Sequence, residues 1–529
     1  MLLNRALRGP AGSVYGIVHR SQAAATPLVS RSAGRRRMQT QATQLQPALN
    51  DKEIDEIVQD AVVWANQHGL VVALGSVTAP ERAIIHAPLA ALPVAFPRAR
   101  FEQAKAAQTT FNALVDKVAR DESYLESVLA GAAAHDTFTG RLLSLLKDSR
   151  AARAALAAKG KPEIALGVHR SDYMLDAPSG RFLQVEINTI ASSFGCLSAL
   201  MTRLHNYVAS RLPPGTLDAS TLPPNVAIEA LPAGIAAAAK AHGAPGGIVV
   251  MVVQPGERNA YDQQWLQLQL WERHGLRTLR RTLGQIAAAG RLSEDGTLTL
   301  VEGSGSATVS VVYFRAGYTP ADYPSEAEWE GRSIIERSNA AKCPTVAYQL
   351  AGAKKVQQDL ARPGVLERFL PPGPSTLDLR QLFAGLWGLD DLADKATAEV
   401  VDAALARPEA YVLKPQREGG GNNLYGTELV EKLQEGRAEV AAGKPNPLAA
   451  YILMQKILPP PQRSVLVRSG AWEVTDTLSE LGVYGTFVRK GDQVLLNTEA
   501  GHLVRTKRAT SNEGGVAAGF AVLDSPRLV

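Results

Sequence analysis

Apolar side chains recur at Ile54, Ile57, Val58 and Val62 within residues 51–64. Steps of three and four put them on one face of a helix. Similar runs between Phe101 and Leu156 extend the helical reading over residues 51–160. At Phe182 the period drops to two, with Leu183, Val185 and Ile187 alternating with Gln184, Glu186 and Asn188. That pattern predicts a half-buried strand whose three polar side chains share one face. Proline and polar residues over 212–224 read as an exposed connection. Beyond it come an apolar run at 247–253, a helical stretch over 264–274 and a second strand at 309–314. Strand, helix and strand in that order predict an α/β unit with parallel strands. In the last third, residues 411–414 and 451–454 read as short strands, and residues 501–507 alternate so that Arg505 and Lys507 share a side. The fold class is therefore α/β with α+β elements. The expected parts are a helical N-terminal region at 51–246, a middle α/β domain at 247–352 and a C-terminal part at 353–529.

Composition narrows this further. A chain of 529 residues suggests about three folding units at roughly 150 residues each. With 46% hydrophobic and 20% charged residues it is neither disordered nor fibrous. The longest apolar stretches, 87–97 and 248–253, fall short of the roughly 18 residues a membrane span needs. Cys196 and Cys343 cannot build a disulfide framework and lack zinc-site spacing, which implies a reducing compartment. A net charge of +5 and a pI near 9.0 point at first to a nucleic-acid partner. Seven arginines and no acids fall within residues 1–50, which leaves 49 basic against 51 acidic residues in the remainder. The basic excess belongs to the leader, so no nucleic-acid partner is expected. That leader is rich in Arg, Ala and Ser and lacks a long apolar core, as in a disordered transit peptide for plastid or mitochondrion. A basic arm that stays attached is the other reading, and a form lacking the leader would be cytosolic.

The densest chemistry lies in Lys414-Pro-Gln-Arg-Glu418-Gly419-Gly420-Gly421-Asn422-Asn423-Leu-Tyr425-Gly426. Consecutive glycines let successive backbone N–H groups converge on an anion. A plain glycine hairpin is the alternative. The lysine before the loop and the acid inside it favour polyphosphate with a bridging metal. Glu186 and Asn188, two apart on one strand face, add the hard oxygens that magnesium takes. Arg505 suits a carboxylate and Lys507 a phosphate. Small residues from 511 to 519 could fold over a ligand as a lid. Polar clusters containing Glu257, Asn259 and Gln263, and Arg315 with Tyr318, follow apolar strands, where α/β sheets bind ligands.

Together these strings resemble the eukaryotic-type glutathione synthetases. The matches include Arg170-Ser-Asp-Tyr-Met174, Gln184-Val-Glu-Ile-Asn-Thr189, Glu257-Arg-Asn259, Tyr313-Phe-Arg-Ala-Gly-Tyr318, Ala341-Lys-Cys-Pro344, Gly352-Ala-Lys-Lys-Val-Gln-Gln358, Ser479-Glu-Leu-Gly482 and the run 414–426. The resemblance implies an ATP-grasp fold with an inserted substrate-binding domain, a homodimer, and ligation of γ-glutamylcysteine to glycine with ATP as co-substrate. It implies that Lys354, Lys414 and Lys507 meet ATP phosphates, with Arg505, Lys414 and Lys354 as the catalytic set. Glu186, Asn188 and Glu418 would hold one or two Mg2+ per subunit. Gly419, Gly420, Gly421, Asn422, Asn423 and Tyr425 would form a lid. Met454, Gln455, Lys456 and Ile457 would line adenine with Glu480 nearby, and Glu513 would complete the nucleotide set. Arg170, Ala191, Ser192, Ser193, Glu257, Asn259, Gln263, Arg315 and Tyr318 would bind the dipeptide, with Arg505 on a substrate carboxylate and Val516 and Ala517 near glycine. Three positions depart from the family pattern. Ala191-Ser-Ser193 replaces its Ser-x-Ser, Gln455 its Glu, and Glu513 its Asp.

A carboxylate is a poor acyl donor, so such a ligase first makes an acyl phosphate, which the glycine amine then attacks. No side-chain nucleophile is required, and lid closure keeps water out. Two other functions stay open: the same chemistry with β-alanine as acceptor, and a catalytically silent nucleotide-binding regulator.

Overall fold

The computed structural model describes residues 48–74, 83–257, 259–416, 422–511, 514–516 and 519–529. Most of the leader, together with Glu418, Gly419, Gly420, Gly421, Glu513 and Ala517, lies outside the described residues.

Asn50 caps the helix Asp51–Gln67 through a reciprocal capping box with Glu53, and Ile54, Ile57 and Val58 are buried. The uniform helical reading of 51–160 fails between 71 and 96. Short strands form there at Val71–Ala73, Ile84–His86, Leu89–Ala90 and Val94–Phe96. Their apolar runs are too short to propagate a helix; the first two pair with each other, Leu89–Ala90 lies between Gln462–Arg468 and Ala521–Asp524, and Val94–Phe96 pairs with Pro526–Leu528. Helices then run at Arg98–Arg120, Glu122–His135 and Thr137–Ala158, the last two started by the side chains of Asp121 and Asp136. The first of these helices packs on the large sheet, and the other two pack against each other and against further helices.

Among the described residues that sheet has 13 strands. Its antiparallel half contains the neighbours Arg181–Asn188, Ile164–Asp176, Ala471–Lys490 and Gln493–Arg508. Its other half contains the parallel neighbours Thr278–Arg281, Ile248–Val252, Gly305–Phe314 and Ala341–Cys343. The parallel strands expected from the sequence are present, and they join the antiparallel half where Lys342 pairs with Ala165.

One register detail corrects the sequence reading. Asp172 pairs with Glu186 while Tyr173 pairs with Gln184, so Val185 is an extra residue and the strand bulges there. Glu186 and Asn188 keep a common face. Gln184 does not join them and is buried instead, because a bulge breaks the period of two.

A second, three-stranded antiparallel sheet comprises Leu386–Gly388, Tyr451–Gln455 and Tyr411–Pro415. Helices Lys395–Ala406 and Gly426–Ala441 pack against it around Leu389, Val401, Leu413, Leu429, Leu433 and Leu453. The cleft described next opens between this small sheet and the antiparallel half of the large one.

Candidate active site

The cleft holds about 440 Å³, within the range of a ligand-sized pocket. The small sheet contributes Val412, Lys414, Met454, Gln455, Lys456 and Ile457, while the large sheet contributes Arg170, Glu186, Asn188, Glu480, Arg505 and Lys507. Lys354, Tyr318, Ala191, Ser193, Asn422, Asn423, Tyr425 and Val516 close its edges. Residues more than 300 positions apart thus meet because four adjacent strands aim alternate side chains at one face.

The two ends of the cleft differ in character. At one end Leu183, Ala384, Val412, Met454 and Ile457 form an apolar cluster, joined by Met174, Val185, Leu386 and Tyr425. Gln455 turns its side-chain oxygen to the Gly385 N–H at 3.1 Å, and Lys456 lies over the Tyr425 ring. A flat heterocycle fits such a slot. The other end is cationic. Lys354 Nζ stands 3.5 Å from Glu186 Oε2, and Lys414 Nζ donates to the Val185 carbonyl at 3.1 Å. Burial alone would push the Glu186 carboxyl up, but Lys354, Lys414, Arg505 and Arg170 together draw it down to about 2. Burial lowers the Lys414 pKa, and Glu186 is foremost among the groups opposing that shift.

Asn188 donates its amide N–H to Asp172 Oδ2 at 3.0 Å, which leaves its oxygen for the cleft. Glu186 and Asn188 therefore both present hard oxygens to the cleft, the type of ligand that magnesium takes. Glu480 pairs with Arg505, and burial raises the pKa of its carboxyl.

Glu257, Asn259, Gln263 and Arg315 do not line the cleft themselves; Asp262 links Arg315 to Phe194, which does. Glu257 accepts from the Asn259 N–H at 2.7 Å and from Gln263 Nε2 at 3.4 Å. Asn259 Oδ1, Gln263 Oε1 and Arg315 Nε are buried and have no hydrogen-bond partner among the described residues. Buried polar atoms left in this state are costly, so a polar guest would satisfy them. The Ser192 hydroxyl turns back to the Asn188 carbonyl at 3.4 Å, whereas Ser193 faces the cleft.

Three residues with clear structural roles here were not singled out by sequence reasoning. Asp262 accepts from the N–H groups of Phe194 and Cys196 and from Arg315 Nη1 at 3.0 Å. It thereby pins a loop in which Ala191 and Phe194 both hold positive φ. Tyr484 donates to the Ser193 carbonyl at 2.5 Å. Asp172, fully buried, binds Arg170, Asn188 and Arg505. The opposite charges of Arg170 and Asp172, two apart on a strand, were the one readable signal of that last role.

A slot between a small antiparallel sheet and the antiparallel half of a larger one, apolar at one end and basic at the other, is the arrangement of an ATP-grasp ligase. The family model described as eukaryotic glutathione synthase, ATP binding domain, matches residues 51–528. The chain is 44% identical over 486 residues to the chloroplastic glutathione synthetase of Solanum lycopersicum, covering 91% of this chain and 85% of that one. It is 40% identical over 493 residues to the glutathione synthetase of Homo sapiens, covering 92% and 99%. The apo structure of a glutathione synthetase-like effector from Globodera pallida shares the fold, with a TM-score of 0.69, 20% identity, and 92% and 100% coverage. The chain belongs to the eukaryotic glutathione synthetase family.

Proposed function

We propose that this protein joins γ-glutamylcysteine to glycine at the expense of ATP, through an acyl phosphate, giving glutathione, ADP and phosphate. The observation that carries this reading is the meeting, in one cleft, of a lysine-rich phosphate end with Arg170 and Arg505, which suit carboxylates. Lys354, Lys414 and Lys507 hold the triphosphate, and Arg505 and Arg170 orient the dipeptide so that its cysteinyl carboxylate faces the terminal phosphoryl group. Glu186 and Asn188, with Glu418 as the expected third ligand, would hold magnesium, which would offset the negative charge that gathers on the transferring group. Arg315, Gln263 and Asn259 take the polar end of the dipeptide. The glycine amine then displaces phosphate near Val516. The glycine-rich run with Asn423 and Tyr425 and the small-residue segment 511–519 are the lid expected from the sequence, and the division of the chain at 246 and 352 remains part of this proposal.

The homodimer is supported by an apolar face on the helix Ala260–His274. Leu268 and Trp271 are 41% and 62% exposed there and line a second cavity with Tyr261 and Trp265. Such a patch marks an interaction surface. Plastid targeting is favoured over mitochondrial because the tomato relative and an Arabidopsis thaliana relative at 44% identity are both chloroplastic. No described helix is long and apolar enough to cross a membrane.

The test is ADP release by protein lacking residues 1–50, with glycine compared against β-alanine. ADP that appears only when ATP, magnesium, γ-glutamylcysteine and glycine are all present is the expected result. Equal rates with β-alanine would reassign the acceptor. Nucleotide binding without turnover would indicate a silent regulator.

A further inference from the structure

Asp172 has no part in lining the cleft, yet three groups that do line it converge on its carboxylate. Oδ1 accepts from Arg170 Nε at 2.6 Å. Oδ2 accepts from Arg170 Nη2 at 2.8 Å, from Asn188 Nδ2 at 3.0 Å and from Arg505 Nη2 at 3.0 Å. Those donors come from three different strands, and Asp172 itself is completely buried. The strand Ala471–Lys490 lies between Asp172 and the strand that carries Arg505, and the residue it places opposite Asp172 is Gly482. A Cβ at Gly482 would stand 2.8 Å from Arg170 Cδ and 2.8 Å from Asp172 Oδ1. The absent side chain is therefore what gives the Arg170–Asp172 pair its room.

We infer that Asp172, seated against Gly482, is a positioning residue that sets two substrate-facing arginines and one metal-facing amide with a single carboxylate. By accepting the Asn188 N–H, it leaves only that residue's oxygen to face a cation. By bridging Arg170 and Arg505, it holds two like charges in fixed directions that they would otherwise repel each other out of. A carboxylate and guanidinium groups paired through several hydrogen bonds at low exposure make a rigid unit. This inference rests on the functional reading above, and it concerns orientation rather than contact with the reacting atoms.

Two variants test it by different routes. Asp172→Asn removes the charge and puts a donor where three donors point. Gly482→Ala keeps every charge and displaces the pair sterically. The measurements are the KM for γ-glutamylcysteine, the half-saturating Mg2+ concentration, the KM for glycine and the melting temperature. Calorimetric titration of γ-glutamylcysteine into protein free of nucleotide and metal is added as a readout independent of turnover. In both variants we expect the dipeptide KM and the Mg2+ requirement to rise together, by about tenfold or more, the calorimetric dissociation constant to rise with them, and the glycine KM to change far less. A purely structural role would lower the melting temperature and the active fraction without separating these constants. Should Asp172→Asn fail to fold, Gly482→Ala decides alone. A folded variant with parental dipeptide affinity and Mg2+ requirement overturns the inference. The unmodified protein is the control, because absence of ADP release by that protein would overturn the functional reading instead.

Discussion

Replacing Glu186 by Gln keeps the shape of the side chain and removes one negative charge from a cationic cleft. Its carboxylate lies 3.5 Å from the Lys354 ammonium, with the two side chains 23% and 8% exposed. At that separation, with an effective dielectric near 20, the bare attraction is about 5 kcal/mol. Desolvation and partial access of water cancel most of it, leaving on the order of 1–2 kcal/mol, or about tenfold in an equilibrium constant. Two effects of opposite sign follow for Glu186→Gln. The half-saturating Mg2+ concentration should rise about 10–100-fold, since a charged oxygen ligand is lost. Metal-free ATP should bind about tenfold more tightly, because the lysines lose the anion that competes with the triphosphate. Lys414 also loses the strongest group holding its ammonium charged, so the basic limb of the pH–rate profile should move to lower pH. The assays are ADP release against a magnesium titration, calorimetric titration of ATP in EDTA, and rates across the alkaline range. An unchanged magnesium requirement together with unchanged or weaker metal-free ATP binding would refute the reasoning.

Three further outcomes are expected. Burial pushes the Asp524 carboxyl from 3.8 up to about 7, so the unfolded chain ionises first as pH rises. The stabilisation is full below about pH 4 and gone above about pH 7, and Asp524→Asn should therefore gain melting temperature relative to the parent between those limits; parallel melting curves would contradict this. Trp271→Glu places a charge on the apolar face of the helix Ala260–His274 and should convert a dimer to a monomer by sedimentation velocity, while a mass equal to the parent's would count against that face as the interface. Residues 1–50 fused to a fluorescent protein should be imported by isolated chloroplasts and not by mitochondria, and uptake by mitochondria alone would reverse the assignment.

Much of the local structure was legible in the chain. The helix Asp51–Gln67 follows from periodicity, and the strands Ile248–Val252 and Tyr451–Gln455 from short unbroken apolar runs, because both signals depend only on neighbours in the chain. The oxygen-bearing pair Glu186 and Asn188 and the basic pair Arg505 and Lys507 were readable for the same reason. The short strands between 71 and 96 were not legible: each has only two or three residues, too few to show a period, and Leu89–Ala90 and Val94–Phe96 take their partners from the far end of the chain, Gln462–Arg468 and Pro526–Leu528.

What the sequence could not supply is the lateral order of strands, and this order builds the cleft. The bulge at Val185 removes Gln184 from the polar face, a change of register visible only once Ile164–Asp176 is alongside. Asp172 reads as one strand aspartate among 51 acidic residues until folding brings Arg505 to it from 333 positions away. Gly482 reads as an ordinary glycine until the neighbouring strand fills the space its side chain would need. Periodicity reports which way a side chain faces, whereas the residue opposite it is chosen by long-range hydrogen bonding between strands. For that reason many of the residues that line the cleft could be read from the chain, and the carboxylate that three of them share became visible only in the fold.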